Sequence, residues 1–242
     1  AEGESIIENA AREPEIVQLA EALISMGAKI EGAGTARIRI EGVSSLSPLK
    51  ISVMPDRIEA GTFMIAAAMT GGDVLVRGAQ QRDQEALLQK MVEAGVMIHP
   101  EGDGLRVVGP QRLMPVDIRT STFPGFPTDM QAQFMAMMAI ADGTSRVSEN
   151  VFENRFMHVC ELQRLGADIS IDGHSAQIHG VKQLLGAPVM ATDLRASACL
   201  ILAGLAADNT TEVSRIYHLD RGYERIEEKL AGLGACIARV PE

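Results

Sequence analysis

Four stretches end alike: Met26-Gly27-Ala28-Lys29-Ile30, Ala94-Gly95-Val96-Met97-Ile98, Leu165-Gly166-Ala167-Asp168-Ile169 and Leu233-Gly234-Ala235-Cys236-Ile237. Their glycines stand 68, 71 and 68 residues apart. Each is preceded by apolar residues at helical spacing, as in Ile16, Leu19, Ala20, Leu23 and Ile24. A glycine there supplies the left-handed turn that ends a helix, so each stretch predicts a helix followed by a short strand. Three of the four continue through a turn into a second strand, at Thr35 to Ile40, Leu105 to Val108 and Ala176 to Ile178. The fourth stops at Val240.

A second element recurs between these. Asp56-Arg57-Ile58-Glu59-Ala60, Asp129-Met130-Gln131-Ala132 and Asp193-Leu194-Arg195-Ala196 each open an apolar helix. Those helices end near Gly71-Gly72, Gly143 and Asn209, and strands follow at Val74 to Val76, Ser145 to Val147 and Thr211 to Val213. The unit is strand, helix, strand, helix, strand, strand, about 70 residues long, and one unit cannot bury its apolar face alone. The fold class is therefore α/β, with repeated βαβαββ units forming one complete domain plus part of another. The Ser-rich segment Ser44 to Leu49 marks the boundary. Residues 51–242 hold three units, the last truncated, and residues 1–50 the C-terminal part of an earlier domain.

Composition narrows the function. Of 242 residues, 46% are hydrophobic, 22% charged and only 3% aromatic, so the core is aliphatic and Met-rich. A net charge of -10 argues against a nucleic-acid partner. No window has the length and apolarity of a membrane span, and a cytoplasmic protein is expected. The start, Glu2-Gly3-Glu4-Ser5 running straight into helical pattern, reads like the middle of a longer protein. Cys160, Cys199 and Cys236 stand far apart inside apolar stretches, which predicts three buried thiols and neither a disulfide framework nor a zinc site. No phosphate-cradling glycine motif is present, and Gly32-Ala33-Gly34 reads as a hairpin turn. His99, His174 and His179 are expected at the surface, and the Phe134, Met135, Met137, Met138 stripe in the core.

What remains is a set of acids and arginines at helix starts. Thr128-Asp129-Met130-Gln131 has the form of a capping box, and an aspartate there also suits the helix dipole. The competing reading of Asp129 is a general base on a substrate hydroxyl. Asp193 and Asp56 share its position. Arg195 and Arg221 suit an anion, because guanidinium forks bind carboxylate and phosphate, although surface ion pairs would use the same residues.

Phe126-Pro127-Thr128-Asp129-Met130-Gln131-Ala132-Gln133-Phe134, Val151-Phe152-Glu153-Asn154-Arg155-Phe156, Ala191-Thr192-Asp193-Leu194-Arg195 and Leu219-Asp220-Arg221-Gly222-Tyr223-Glu224 together resemble the enolpyruvyl transferase family, and within it the members acting on UDP-N-acetylglucosamine. The Ile6 to Glu15 and Pro55 to Glu59 blocks fit as well. The resemblance implies two domains, each an inside-out barrel of three βαβαββ units. It implies transfer of the enolpyruvyl group of phosphoenolpyruvate to the sugar 3'-hydroxyl, with no cofactor and no metal. Asp129 would be the base and, with Val151, would contact the sugar nucleotide. Arg195 and Arg221 would hold phosphoenolpyruvate beside Asp193, with Glu153 and Arg155 in the same cleft. The family's reactive cysteine loop belongs to the first domain and has no match here, so the missing N-terminal domain is a necessary partner and the chain alone is expected to be inactive. The related shikimate-pathway transferase and a non-catalytic paralogue are the alternatives.

Overall fold

The computed structural model describes residues 2–240; residues 1, 241 and 242, the outer ends of the two expected domains, lie outside the described residues. The order begins with β1 (Glu4–Glu8), α1 (Pro14–Ser25), β2 (Lys29–Glu31) and β3 (Arg37–Glu41). It continues through α2 (Arg57–Thr70), β4 (Asp73–Arg77), α3 (Glu85–Glu93), β5 (Met97–Glu101), β6 (Gly104–Val108), β7 (Ile118–Arg119), α4 (Gln131–Met138), β8 (Thr144–Ser148), α5 (Val159–Arg164), β9 (Asp168–Asp172) and β10 (Ser175–His179). The last unit comprises β11 (Leu184–Leu185), β12 (Pro188–Met190), α6 (Leu194–Leu205), β13 (Ala207–Asp208), β14 (Glu212–Ser214) and α7 (Ile226–Gly232).

The four glycine endings behave as read. Gly27, Gly95, Gly166 and Gly234 all have positive φ, between 88° and 103°, two residues past the ends of α1, α3, α5 and α7. Asp56 and Asp193 cap α2 and α6: each accepts two backbone N–H bonds, from the residues two and three further on, at 2.8–3.1 Å. Helices α2, α4 and α6 pack pairwise against one another at the centre, and every residue of α4 is buried. Apart from Gln131 and Gln133 its residues are all apolar, and a helix without a polar face has to lie inside. The sheets β4-β6-β5 and β7-β8-β10-β9 and the parallel pairs β11-β13 and β12-β14 flank these helices. Along β10, Ala176 and Ile178 are buried and their neighbours Gln177 and His179 exposed, as a sheet with one face on the core requires. Helices inside and sheets outside make the inside-out α/β barrel expected. Gly109 and Gly180 occupy equivalent places after β6 and β10, donating to Gly72 O and Gly143 O at 2.8 Å. A Cβ at either would overlap a carbonyl oxygen, of Ala67 or Ala141, at the end of an inner helix.

Residues 2–41 form their own sheet, β1-β3-β2, with α1 beside it. Ala20 is buried in α1, whereas Ile6, Ile7, Leu19 and Ile24 are exposed.

Three expectations are corrected. The first unit lacks its leading strand: the Gln18 side chain accepts from Met54 N and donates to Ser52 O, taking backbone groups that a neighbouring strand would otherwise pair. No strand follows Gly234, because the returning strand that pairs with it in the other copies has no counterpart among the described residues. Arg239 holds that segment instead, through ion pairs with Asp220 and Glu227. Cys199 alone is a buried thiol; Cys160 and Cys236 fall on the outer faces of their segments and are exposed. His99, His174 and His179 are exposed as expected. Among the described residues no helix is long and apolar enough to cross a membrane.

Candidate active site

The N-terminal ends of α2 and α4 face a cavity of about 280 Å³ between α1 and the barrel. Glu13, Glu15 and Ile16 line one wall; Arg57, Phe123, Thr128, Asp129 and Val151 line the other. Arg57 closes one end, donating to both Glu15 carboxylate oxygens at 2.9 and 3.1 Å with its guanidinium 5.8 Å from the Phe123 ring centre. The positive ends of the inner helices are already answered by carboxylates, Asp56 on α2 and Asp193 on α6, so binding of an anion rests on the arginines beside them. A second cavity, of about 390 Å³, lies at the opposite ends of these helices beside Arg112 and Lys182, and holds none of the expected site residues.

Asp129 sits in a 3-10 turn, Thr128–Met130, just before α4. It caps nothing. One oxygen accepts from Arg195 at 2.7 Å and the other pairs with Arg155 at 2.9 Å. Both arginines are largely buried, at 16% and 17% side-chain exposure, so the two pairs are shielded more than surface pairs are. Burial pushes the Asp129 carboxyl upward, but the hydrogen bonds and charges of Arg195 and Arg155 outweigh it and hold the group below the usual aspartate range. The capping-box reading of Thr128 and Gln131 is thereby corrected. The 3-10 turn moves the helix start past Thr128, whose hydroxyl donates to Glu149 and accepts from Arg155, both at 2.9 Å. Gln131 is buried with neither amide atom partnered, instead of reaching back to the turn.

Behind this cluster lies a residue that the sequence reading missed. Glu149 follows β8, is 2% exposed, and accepts from Thr120, Thr128 and the backbone N–H groups of Val151 and Phe152. Its signal was the alternation Ser145, Val147, Glu149, which places an acid on an inward face, where it needs donors. Tyr223 is likewise buried, its hydroxyl 2.9 Å from Thr62 Oγ1 and 3.3 Å from Gln133 Nε2.

The family model described as EPSP synthase (3-phosphoshikimate 1-carboxyvinyltransferase) matches residues 1–230. The chain belongs to the EPSP synthase family. It is 67% identical over 242 residues to a UDP-N-acetylglucosamine 1-carboxyvinyltransferase of Geotalea uraniireducens (strain Rf4), covering 100% of this chain and 58% of that protein. A protein of the same name from Trichlorobacter lovleyi is 65% identical over the same shares. The chain thus spans about 58% of the length of these curated relatives. The crystal structure of the enolpyruvyl transferase NikO from Streptomyces tendae superposes with a TM-score of 0.86 at 28% identity, covering 97% of this chain and 56% of that one. EPSP synthase from Acinetobacter baumannii, at 17% identity, shares the fold with a TM-score of 0.75, over 100% of this chain and 59% of that one.

Within this EPSP synthase family member the expected residues separate into two sets. Asp129, Arg155 and Arg195 form one cluster, and Val151 lines the same cleft, 44% exposed. Asp193 lies next to them in sequence as the α6 cap, one of its oxygens committed to backbone N–H groups. Arg221 ends the 3-10 helix Ile216–Arg221, exposed and with no ion pair among the described residues. Glu153 is exposed and makes none either.

Proposed function

We propose that this chain is the larger part of a transferase that moves the enolpyruvyl group of phosphoenolpyruvate to the 3'-hydroxyl of UDP-N-acetylglucosamine, releasing phosphate. The observation that carries the proposal is Asp129 on a cleft wall, clamped by Arg155 and Arg195. In this reading the hydroxyl oxygen adds to the enol carbon while Asp129 takes its proton and the methylene carbon takes one from an acid outside this chain, giving a tetrahedral intermediate with a methyl group. The carbon–phosphate oxygen bond then breaks, a proton leaves the methyl carbon, and phosphate departs.

The pairing of Asp129 gives that base a condition for acting. A carboxylate held by two guanidinium groups is a poor proton acceptor. An anionic substrate arriving at Arg195 draws the guanidinium charge to itself and restores basicity where the hydroxyl waits. Arg221 and Asp193 complete the phosphoenolpyruvate side, and Val151, Glu153 and Arg155 the sugar-nucleotide side. The acid that protonates the methylene carbon belongs to the part of the protein outside this chain. Residues 1–50 are the C-terminal portion of that first domain and residues 51–242 the second, so the chain alone is inactive. Such a reaction belongs in the cytoplasm, at the first committed step of peptidoglycan synthesis, and needs no nucleic acid, membrane or cofactor.

The test is phosphate release from phosphoenolpyruvate by the complete protein, with UDP-N-acetylglucosamine or shikimate 3-phosphate as acceptor. Release with the first alone supports the proposal. Release with the second alone assigns the shikimate-pathway reaction, and release with neither favours a non-catalytic relative.

A further inference from the structure

We infer that Glu149 is a positioning residue for the sugar-nucleotide side of the cleft, an inference that rests on the transferase reading above. Its carboxylate ties the turn that directly follows it to two hydroxyls, of Thr128 and Thr120, that lie 21 and 29 residues earlier in the chain. One oxygen accepts from the Thr120 hydroxyl at 2.7 Å and from the N–H groups of Val151 and Phe152 at 2.9 and 3.0 Å. The other accepts from Thr128 at 2.9 Å. The Thr120 hydroxyl in turn accepts from Asn150 N at 2.9 Å, so the turn after β8 is closed from both sides. Glu149's own N–H donates to His174 O at 2.8 Å, fixing where the side chain starts.

Two consequences reach the site. The Val151–Phe152 turn is held by its backbone, leaving the Val151 side chain free to face the cleft. The Thr128 hydroxyl, donating to Glu149, is oriented so that its lone pair receives Arg155, and Arg155 then meets Asp129 at 2.9 Å. A relay of Glu149, Thr128, Arg155 and Asp129 therefore sets the distance between the base and the turn that contacts the acceptor. Glu149 is too deep to touch a ligand itself. A buried acid accepting four hydrogen bonds, none from a basic side chain, is an expensive arrangement for packing alone.

Glu149→Gln keeps the shape and one acceptor oxygen but turns an NH₂ toward Thr128, whose hydroxyl must then rotate. The experiment is steady-state kinetics of the complete protein, unmutated and carrying Glu149→Gln, Thr128→Val or both. The KM for UDP-N-acetylglucosamine is expected to rise about tenfold or more in each single variant, with the KM for phosphoenolpyruvate within about twofold. The double variant should be no worse than the weaker single one, because both cut the same relay. If Glu149→Gln does not fold, Thr128→Val reads the same link. An unmoved acceptor KM, an equal rise in both constants, or additive losses overturns the inference while turnover by the unmutated protein leaves the functional reading standing. No turnover by the unmutated protein overturns both.

Discussion

Lowering the pH from 7 to 5 should destabilise this protein through one side chain, His158. It is 2% exposed, and its Nε2 is buried without a partner. Burial pushes the imidazole down to about 4, with the charge of Arg155 adding to the shift and that of Asp193 opposing it. The sign follows from linkage. The unfolded chain takes up the proton near the ordinary value of 6.5, whereas the folded one resists until about 4. Stability is therefore lost as pH falls through that window and levels off below it. At pH 5 an ordinary histidine is about 97% protonated and the buried one about 10%, which corresponds to about 2 kcal/mol. For a chain of this size that is about 4–8 °C in Tm. Thermal unfolding followed by circular dichroism at pH 7 and pH 5, for the unmutated chain and for His158→Gln, checks it. The lowered carboxyls of Glu15 and Asp129 are common to both proteins, so the difference isolates His158. The unmutated chain should lose about 2 kcal/mol more than the variant. Parallel losses would refute the reasoning and mean that His158 is solvated or paired.

Other substitutions probe the frame. Tyr223→Phe leaves Gln133 without its tyrosine acceptor and should cost about 1–2 kcal/mol in denaturant unfolding, with an unchanged slope. Gly180→Ala drives a methyl into the Ala141 carbonyl and should cost about 2 kcal/mol or more by the same measurement. Under native conditions an alkylating reagent followed by mass spectrometry should label Cys160 and Cys236 but not Cys199, whose thiol burial pushes far above the usual range. Labelling of Cys199 at a comparable rate would mean that α6 opens readily.

The repeat was legible because its signals are local. A glycine forced to positive φ ends a helix whatever packs beside it, and four copies 68 to 71 residues apart named the unit before any contact was known. Asp56 and Asp193 were legible for the same reason, since a cap bonds to its own next turn. Asp129 looked like a third copy and is not one. Its partners Arg155 and Arg195 lie 26 and 66 residues away in the chain, and a 3-10 turn displaces the helix start. Glu149 was missed because no helix follows to mark its two local donors as a cap, and its other two, Thr128 and Thr120, lie 21 and 29 residues back in the chain. The missing strand before α2 could not be read either: the Gln18 side chain that takes its backbone groups is 34 residues from Ser52. Long-range polar contacts leave little trace in local pattern, and the site is built mostly from them.

The most direct measurement is phosphate release from phosphoenolpyruvate with UDP-N-acetylglucosamine by the complete protein carrying Asp129→Asn. A general base contributes about 10²–10⁴-fold, so kcat should fall at least about a hundredfold, while the protein stays folded. A rate within about threefold of the unmutated protein would remove Asp129 from the proton transfer, and with it the reading of this cleft as the site of the reaction.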